Sequence, residues 1–186
     1  VRRLQERLQA QRSPLAALPS NTAVGMRVPT FLAVDTDRSV LQAHGERGVL
    51  LTTNAAVLDA AYRQPERFHA EWLQRDALRA APFVEQGTSG NRMLGRFLLL
   101  LPENRARVEE PIRRWLTSAS KTPARRLYVV AGAAGGSGSA QLVDVAYLAR
   151  SVAEALGCDL DVRAITIVPP ANDSATAPNA FATLTE

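Results

Sequence analysis

The stretch Gly132-Ala133-Ala134-Gly135-Gly136-Ser137-Gly138-Ser139 constrains this chain most, because it joins a strand pattern to a long helical pattern. Leu127 to Ala131 is apolar, partly β-branched and bounded by arginines before and glycines after, which predicts a buried strand. From about Ser139 to Leu156 the pattern predicts a long helix, closed by Gly157 at its carboxyl end. Small residues at such a junction let the backbone approach a ligand closely, and the amide groups at the helix start point at an anion. Phosphate is the natural guest: Ser137 and Ser139 add hydroxyls, and no side chain in the stretch is large enough to block it. The structural alternative is a glycine-rich turn that only permits tight packing of strand on helix.

Two familiar phosphate motifs fit poorly. A P-loop needs Gly-Lys-Ser/Thr after its glycines, and no lysine is present in the stretch. A dinucleotide fingerprint needs Gly-x-Gly-x-x-Gly, but Gly136-Ser137-Gly138 is followed by Ser139, Ala140 and Gln141.

The rest of the chain alternates strands with helices. Val1 to Gln11 places Val1, Leu4 and Leu8 on one stripe, a short amphipathic helix that begins without a capping residue, from which the expectation is that the chain has lost what preceded it. Thr30 to Val34 predicts a buried strand ending in the acids Asp35 and Asp37, and Val49 to Thr53 another. Helices are expected over Ala55 to Tyr62, behind Asn54 as cap, and over Ala70 to Ala80, burying Leu73, Ala77 and Trp72. After the loop Gly87-Thr88-Ser89-Gly90-Asn91, one helix carries Met93, Leu94, Phe97, Leu98 and Leu101 on one side. The next, Glu103 to Leu116, carries Val108, Ile112 and Trp115 and is kinked by Pro111. Val162 to Val168 is a strand stopped by Pro169 and Pro170, and a last helix opens at Asn179 and runs to Glu186. Such alternation predicts an α/β fold, a three-layer Rossmann-like parallel sheet flanked by helices, with ligands at the carboxyl ends of the strands.

Composition narrows the class. With 186 residues, 46% of them hydrophobic, the chain can bury one full core. The single cysteine, Cys158, has no partner for an internal disulfide, and neither a signal peptide nor a long uncharged apolar run is present, so a reduced cytoplasmic protein without a membrane segment is expected. The 22 basic and 18 acidic side chains leave a net charge of +4, compatible with nucleic acid but modest enough to be a solvated mixed-charge surface. His44 and His69 lack partners at a zinc-ligand spacing.

The Gly87 to Asn91 loop also opens a helix and offers a second set of amides to the same anion or a neighbouring one, with Arg92 and Arg96 just inside the helix as phosphate partners or surface residues. Asp35 and Asp37 stand at a strand end, where they either hold a hydrated magnesium ion or act as turn and cap residues.

Taken in order, these pieces resemble the tubulin/FtsZ superfamily, and most closely its bacterial tubulin-like members outside the main cell-division branch. Ala134-Gly135-Gly136-Ser137-Gly138-Ser139-Ala140 is similar to the family's Gly-Gly-Gly-Thr-Gly-Ser/Thr-Gly phosphate loop, with alanine at both ends and serine at the centre. Gly87 to Asn91 resembles the family's Gly-Ala-Gly-Gly-Asn, and Asp35-Thr36-Asp37 looks like a blend of the Asn-Thr-Asp of FtsZ and the Asp-Leu-Glu of tubulin. Pro169-Pro170 falls at the ribose-side loop, and Pro178-Asn179-Ala180 is similar to Pro-Tyr-Asn-Ala of tubulin.

The resemblance implies GTP or GDP held at its phosphates by Gly87, Ser89, Gly90, Asn91, Gly135, Gly136, Ser137, Gly138 and Ser139. It also implies a guanine contact by Asn179 and Mg2+ near Asp35 and Asp37. It implies a GTPase of a filament-forming cytoskeleton that associates head to tail, with an acidic loop of the neighbouring subunit completing hydrolysis. Residues 1–186 then correspond to the nucleotide-binding domain, without the family's first glycine loop and its C-terminal activation domain; catalytic residues are unassigned. The alternative expectation is a nonhydrolysing tubulin-like scaffold. A dinucleotide-binding oxidoreductase is the least favoured reading, because its fingerprint belongs before the first helix.

Overall fold

The computed structural model describes residues 30–70, 72–74, 78, 86–118, 125–170 and 172–186. The amphipathic pattern of residues 1–11 lies outside the described residues. Strand β1 (Ala33–Asp35) pairs in parallel with β2 (Gly48–Leu50), Val34 opposite Val49. β1 ends where Asp35 Oδ1 accepts the backbone N–H groups of Thr36 at 2.6 Å and Asp37 at 3.1 Å, which turns the chain out of the strand. Next comes a five-residue helix, α1 (Arg38–Gln42), which the hydrophobic pattern does not announce. Asp37 caps it, accepting the Ser39 N–H at 2.8 Å and the Ser39 hydroxyl at 2.6 Å.

Helix α2 (Ala55–Arg63) starts behind Asn54, whose side chain accepts the Val57 N–H at 2.9 Å, so the expected cap is present. At Ala70, where the apolar spacing predicts a helix start, the chain turns instead. His69 is left-handed (φ 49°), and the Trp72 indole N–H donates to its carbonyl at 2.9 Å, so residues 72–74 close a turn. Leu73 is buried as expected, Trp72 is 39% exposed, and Ala77 lies outside the described residues.

Helices α3 (Arg92–Leu100) and α4 (Pro102–Ser118) are separated by Leu101 alone. Proline suits the first position of α4, where its missing N–H is no loss, and the helix then runs unbroken through Pro111. Leu94, Phe97 and Leu98 of α3 and Val108, Ile112 and Leu116 of α4 are buried, as the apolar spacing requires. Strands β3 (Arg125–Gly132) and β4 (Leu160–Ile167) pair in parallel, Val130 opposite Ile165, with α5 (Gly136–Ala155) crossing between them. Gly157, at φ 61°, ends α5 as predicted: its N–H bonds the Glu154 carbonyl and the Cys158 N–H bonds that of Ala153. The last helix is α6 (Ala177–Thr185).

Among the described residues the strands form two separate two-stranded parallel sheets, β1-β2 and β3-β4. The architecture is therefore mixed α/β with small parallel sheets, and the described residues do not make up one continuous three-layer sheet. A helical layer joins the two pairs. Leu51, Leu98, Leu99, Val108, Ala149 and Val152 form its core, with Val34 and Val49 packed on it from the first pair and Leu127 and Leu160 from the second. Asn104, 1% exposed, adds a polar tie: its amide donates to the carbonyls of Thr52 and Leu98, both at 2.8 Å, and its oxygen accepts the Thr52 N–H at 3.3 Å.

Candidate functional site

Helix α5 begins at Gly136, three residues before the start expected from the sequence, so Gly136, Ser137 and Gly138 form its first turn. Gly135 precedes it and, having no side chain, supplies no cap to the first amides of this 20-residue helix. The serine hydroxyls face the protein. Ser137 Oγ pairs with the buried Thr36 hydroxyl at 2.7 Å, and Ser139 Oγ donates to the Gly135 carbonyl. What this turn could offer an anion thus lies in its backbone amides.

Its glycines are there for different reasons. A Cβ on Gly136 would lie 2.2 Å from Thr88 Oγ1 and 2.7 Å from both the Asn91 nitrogen and the Gly90 carbonyl carbon. Here the second loop packs directly against the first. A Cβ on Gly95 of α3 would lie 2.6 Å from the Gly136 oxygen, so α3 and α5 also meet backbone to backbone. By contrast, Cβ positions on Gly132 and Gly135 would meet nothing within 4 Å, and Gly135 has an ordinary φ of −82°.

The second loop turns on left-handed residues: Gly87 (φ 91°), Ser89 (φ 49°) and Gly90 (φ 80°). Glycine adopts this conformation without a side-chain clash, whereas Ser89, where the resembled loop has glycine, bears the strain. Asn91 caps α3, its oxygen accepting the Leu94 N–H at 3.0 Å, so part of the expected second set of amides is already used. The Gly87 N–H donates to the Thr36 carbonyl at 3.3 Å. Thr36 therefore touches both glycine loops, through its hydroxyl and its carbonyl.

Asn179, near the start of α6, closes the arrangement. Its Nδ2 donates to the Gly90 carbonyl at 2.9 Å and to that of Ala134 at 3.0 Å. The structure thus gathers the end of β1, both glycine loops and Asn179 at one place. Asp35 and Asp37 flank Thr36 there, acting as turn and cap residues. The hydrogen bond from the Ser39 hydroxyl, reinforced by the Ser39 N–H, holds the Asp37 carboxyl below its usual range. Among the described residues no cluster of His, Cys, Asp or Glu could by itself hold a metal ion. A magnesium ion shared with phosphates needs only one or two carboxylates and keeps several waters, and Asp35 and Asp37 fit that lesser requirement.

Both arginines are engaged by groups of the protein itself. Arg92 donates to the Ser139 carbonyl at 2.9 Å, the Asn179 carbonyl at 3.3 Å and Thr183 Oγ1, and pairs with Glu186 at 2.8 Å. Arg96 pairs with Asp144 at 2.8 Å and lies over the Trp72 ring, 5.6 Å from its centroid. Sequence reasoning missed the contacts of Thr36, Thr88 and Gly95, and the buried Gln141, whose amide donates to the Gly95 carbonyl at 2.9 Å. Thr36 was visible within Asp35-Thr36-Asp37, but no local pattern predicts its long-range partner.

A family profile described as tubulin like matches residues 1–186, the whole chain. The chain belongs to the tubulin-like family. The two stretches that carry the resemblance in this tubulin-like chain, residues 87–91 and 134–140, are those that meet at Gly136. No curated protein and no solved structure matches it. Among the described residues of the tubulin-like chain, no helix is long and apolar enough to cross a membrane.

Proposed function

We propose that this tubulin-like domain binds GTP and GDP, its phosphates lying on the first turn of α5 and the rim of the Gly87 to Asn91 loop. One observation supports the reading above the others. The open space over Gly132 and Gly135 adjoins the uncapped amides of α5, and neither conformation nor packing requires glycine at 135. Close approach of a ligand does. Gly136 and Gly138 set the shape of the turn, and the backbone of Ser137 and Ser139 carries it into the helix.

Asp35 and Asp37 would hold the waters of a nucleotide-bound Mg2+, which when bound neutralises phosphate charge. The chain's own part is to position the phosphates and face them with amide dipoles, on which phosphoryl transfer chiefly depends. In this proposal, copies associate head to tail, and an acidic loop from the neighbouring subunit completes the hydrolytic site. Such contacts are heterologous and build open filaments when the rotation does not close.

Titrating the full-length protein with fluorescently labelled GTP tests the reading. Saturable binding, displaced by unlabelled GTP and GDP, is expected; its absence overturns the proposal. Saturable binding without phosphate release, in samples that assemble, favours the nonhydrolysing scaffold instead.

A further inference from the structure

We infer that Asn179 is a positioning residue that clips the two glycine loops at a set separation; the effect on binding rests on the nucleotide-binding reading above. A primary amide carries two N–H donors, and those of Asn179 go to different loops, to Gly90 O at 2.9 Å and Ala134 O at 3.0 Å.

The clip is itself held in place. The backbone carbonyl of Asn179 accepts from Thr183 Oγ1 at 2.7 Å and from Arg92 at 3.3 Å. The Arg92 side chain, 13% exposed, also grips the Ser139 carbonyl and pairs with Glu186. One guanidinium therefore fixes α6 against the starts of both α3 and α5, the helices that the two loops open. Helix α6 sets the geometry of the phosphate site through Asn179, although the amides facing the phosphates come from other elements.

The test compares two probes, labelled GTP and inorganic tripolyphosphate, which has no base. In Asn179→Ala, and in Asn179→Leu, which is of similar size and lacks the donors, affinity for both probes falls, by about tenfold for loss of two neutral hydrogen bonds. A loss confined to GTP overturns the clip and assigns a base contact, and unchanged affinity for both overturns it too.

Hydrogen exchange of the nucleotide-free protein supplies a readout independent of binding. Exchange over residues 86–91 and 133–138 rises in both variants, while β4 and α4 stay protected as in the parent. Unchanged exchange in these loops overturns the clip. Failure of the parent protein to bind either probe overturns the nucleotide reading, and exchange alone then decides the clip.

Discussion

Gly135→Ala would place a Cβ in open space at an ordinary φ, whereas Gly136→Ala would drive one to 2.2 Å from Thr88 Oγ1 and 2.7 Å from backbone atoms of Gly90 and Asn91. The hydroxyl can rotate away; the backbone cannot move without parting the loops. Gly136→Ala is therefore expected to lower both stability and nucleotide affinity, with a stability loss of about 1–3 kcal/mol, typical of overpacking. Gly135→Ala is expected to leave stability within about 1 kcal/mol, the usual difference between the two residues at a helix start. It is expected to weaken GTP binding nonetheless. Urea unfolding read beside the GTP titration separates the two effects, and equal stability losses in both variants would contradict the assignment.

At the scale of elements, the helices differ in how their first turns are satisfied. Asp37, Asn54 and Asn91 cap α1, α2 and α3 with side-chain oxygens, while α5 starts behind a glycine and has no such cap. The Asp37 cap is ionised, which makes it pH-sensitive. Its folded-state pKa is lowered by hydrogen bonds from Ser39, so its contribution to stability is present above the unfolded carboxylate value and is lost as pH falls through the lower folded value. Replacing Asp37 by Ala should therefore destabilise the nucleotide-free protein at neutral pH, and the difference from the parent should shrink as the pH falls through the folded value. Denaturant unfolding across that range checks the sign; a difference that grows as pH falls would refute it.

Across the whole molecule, the two strand pairs are united by the helical layer, with Asn104 tying the exit of β2 to α3 and α4. Asn104→Ala removes its hydrogen bonds with the Thr52 N–H and with the Thr52 and Leu98 carbonyls. Losing these three hydrogen bonds is expected to cost about 2–4 kcal/mol in urea unfolding. If the layer joins both strand pairs in one cooperative unit, unfolding shows a single transition, monitored by the fluorescence of Trp72 and Trp115 and by far-ultraviolet dichroism of the whole chain. Separate transitions would contradict that unity, and a negligible cost would contradict the role of Asn104 in it.

The sequence by itself determined most of the elements and the identity of the loops. Hydrophobic periodicity marked α3, α4 and α5, apolar β-branched runs marked β3 and β4, and glycine with small residues marked both loops, because each signal depends on near neighbours in the chain. Short elements escaped it: α1 rests on one cap and one buried residue, Leu41, and at His69 to Leu73, where the start of a helix was expected, the chain makes a turn to which the Trp72 indole N–H adds a hydrogen bond. Only the tertiary structure decided what each loop residue does. That Gly136 is empty for the sake of Thr88 and Gly90, that Ser137 serves Thr36, that Arg92 holds α6 and that Asn179 spans Gly90 and Ala134 are facts about residues far apart in sequence. Local patterns record which backbone can form a turn; long-range packing and hydrogen bonding determine which of its atoms are spent on the protein and which remain for a ligand.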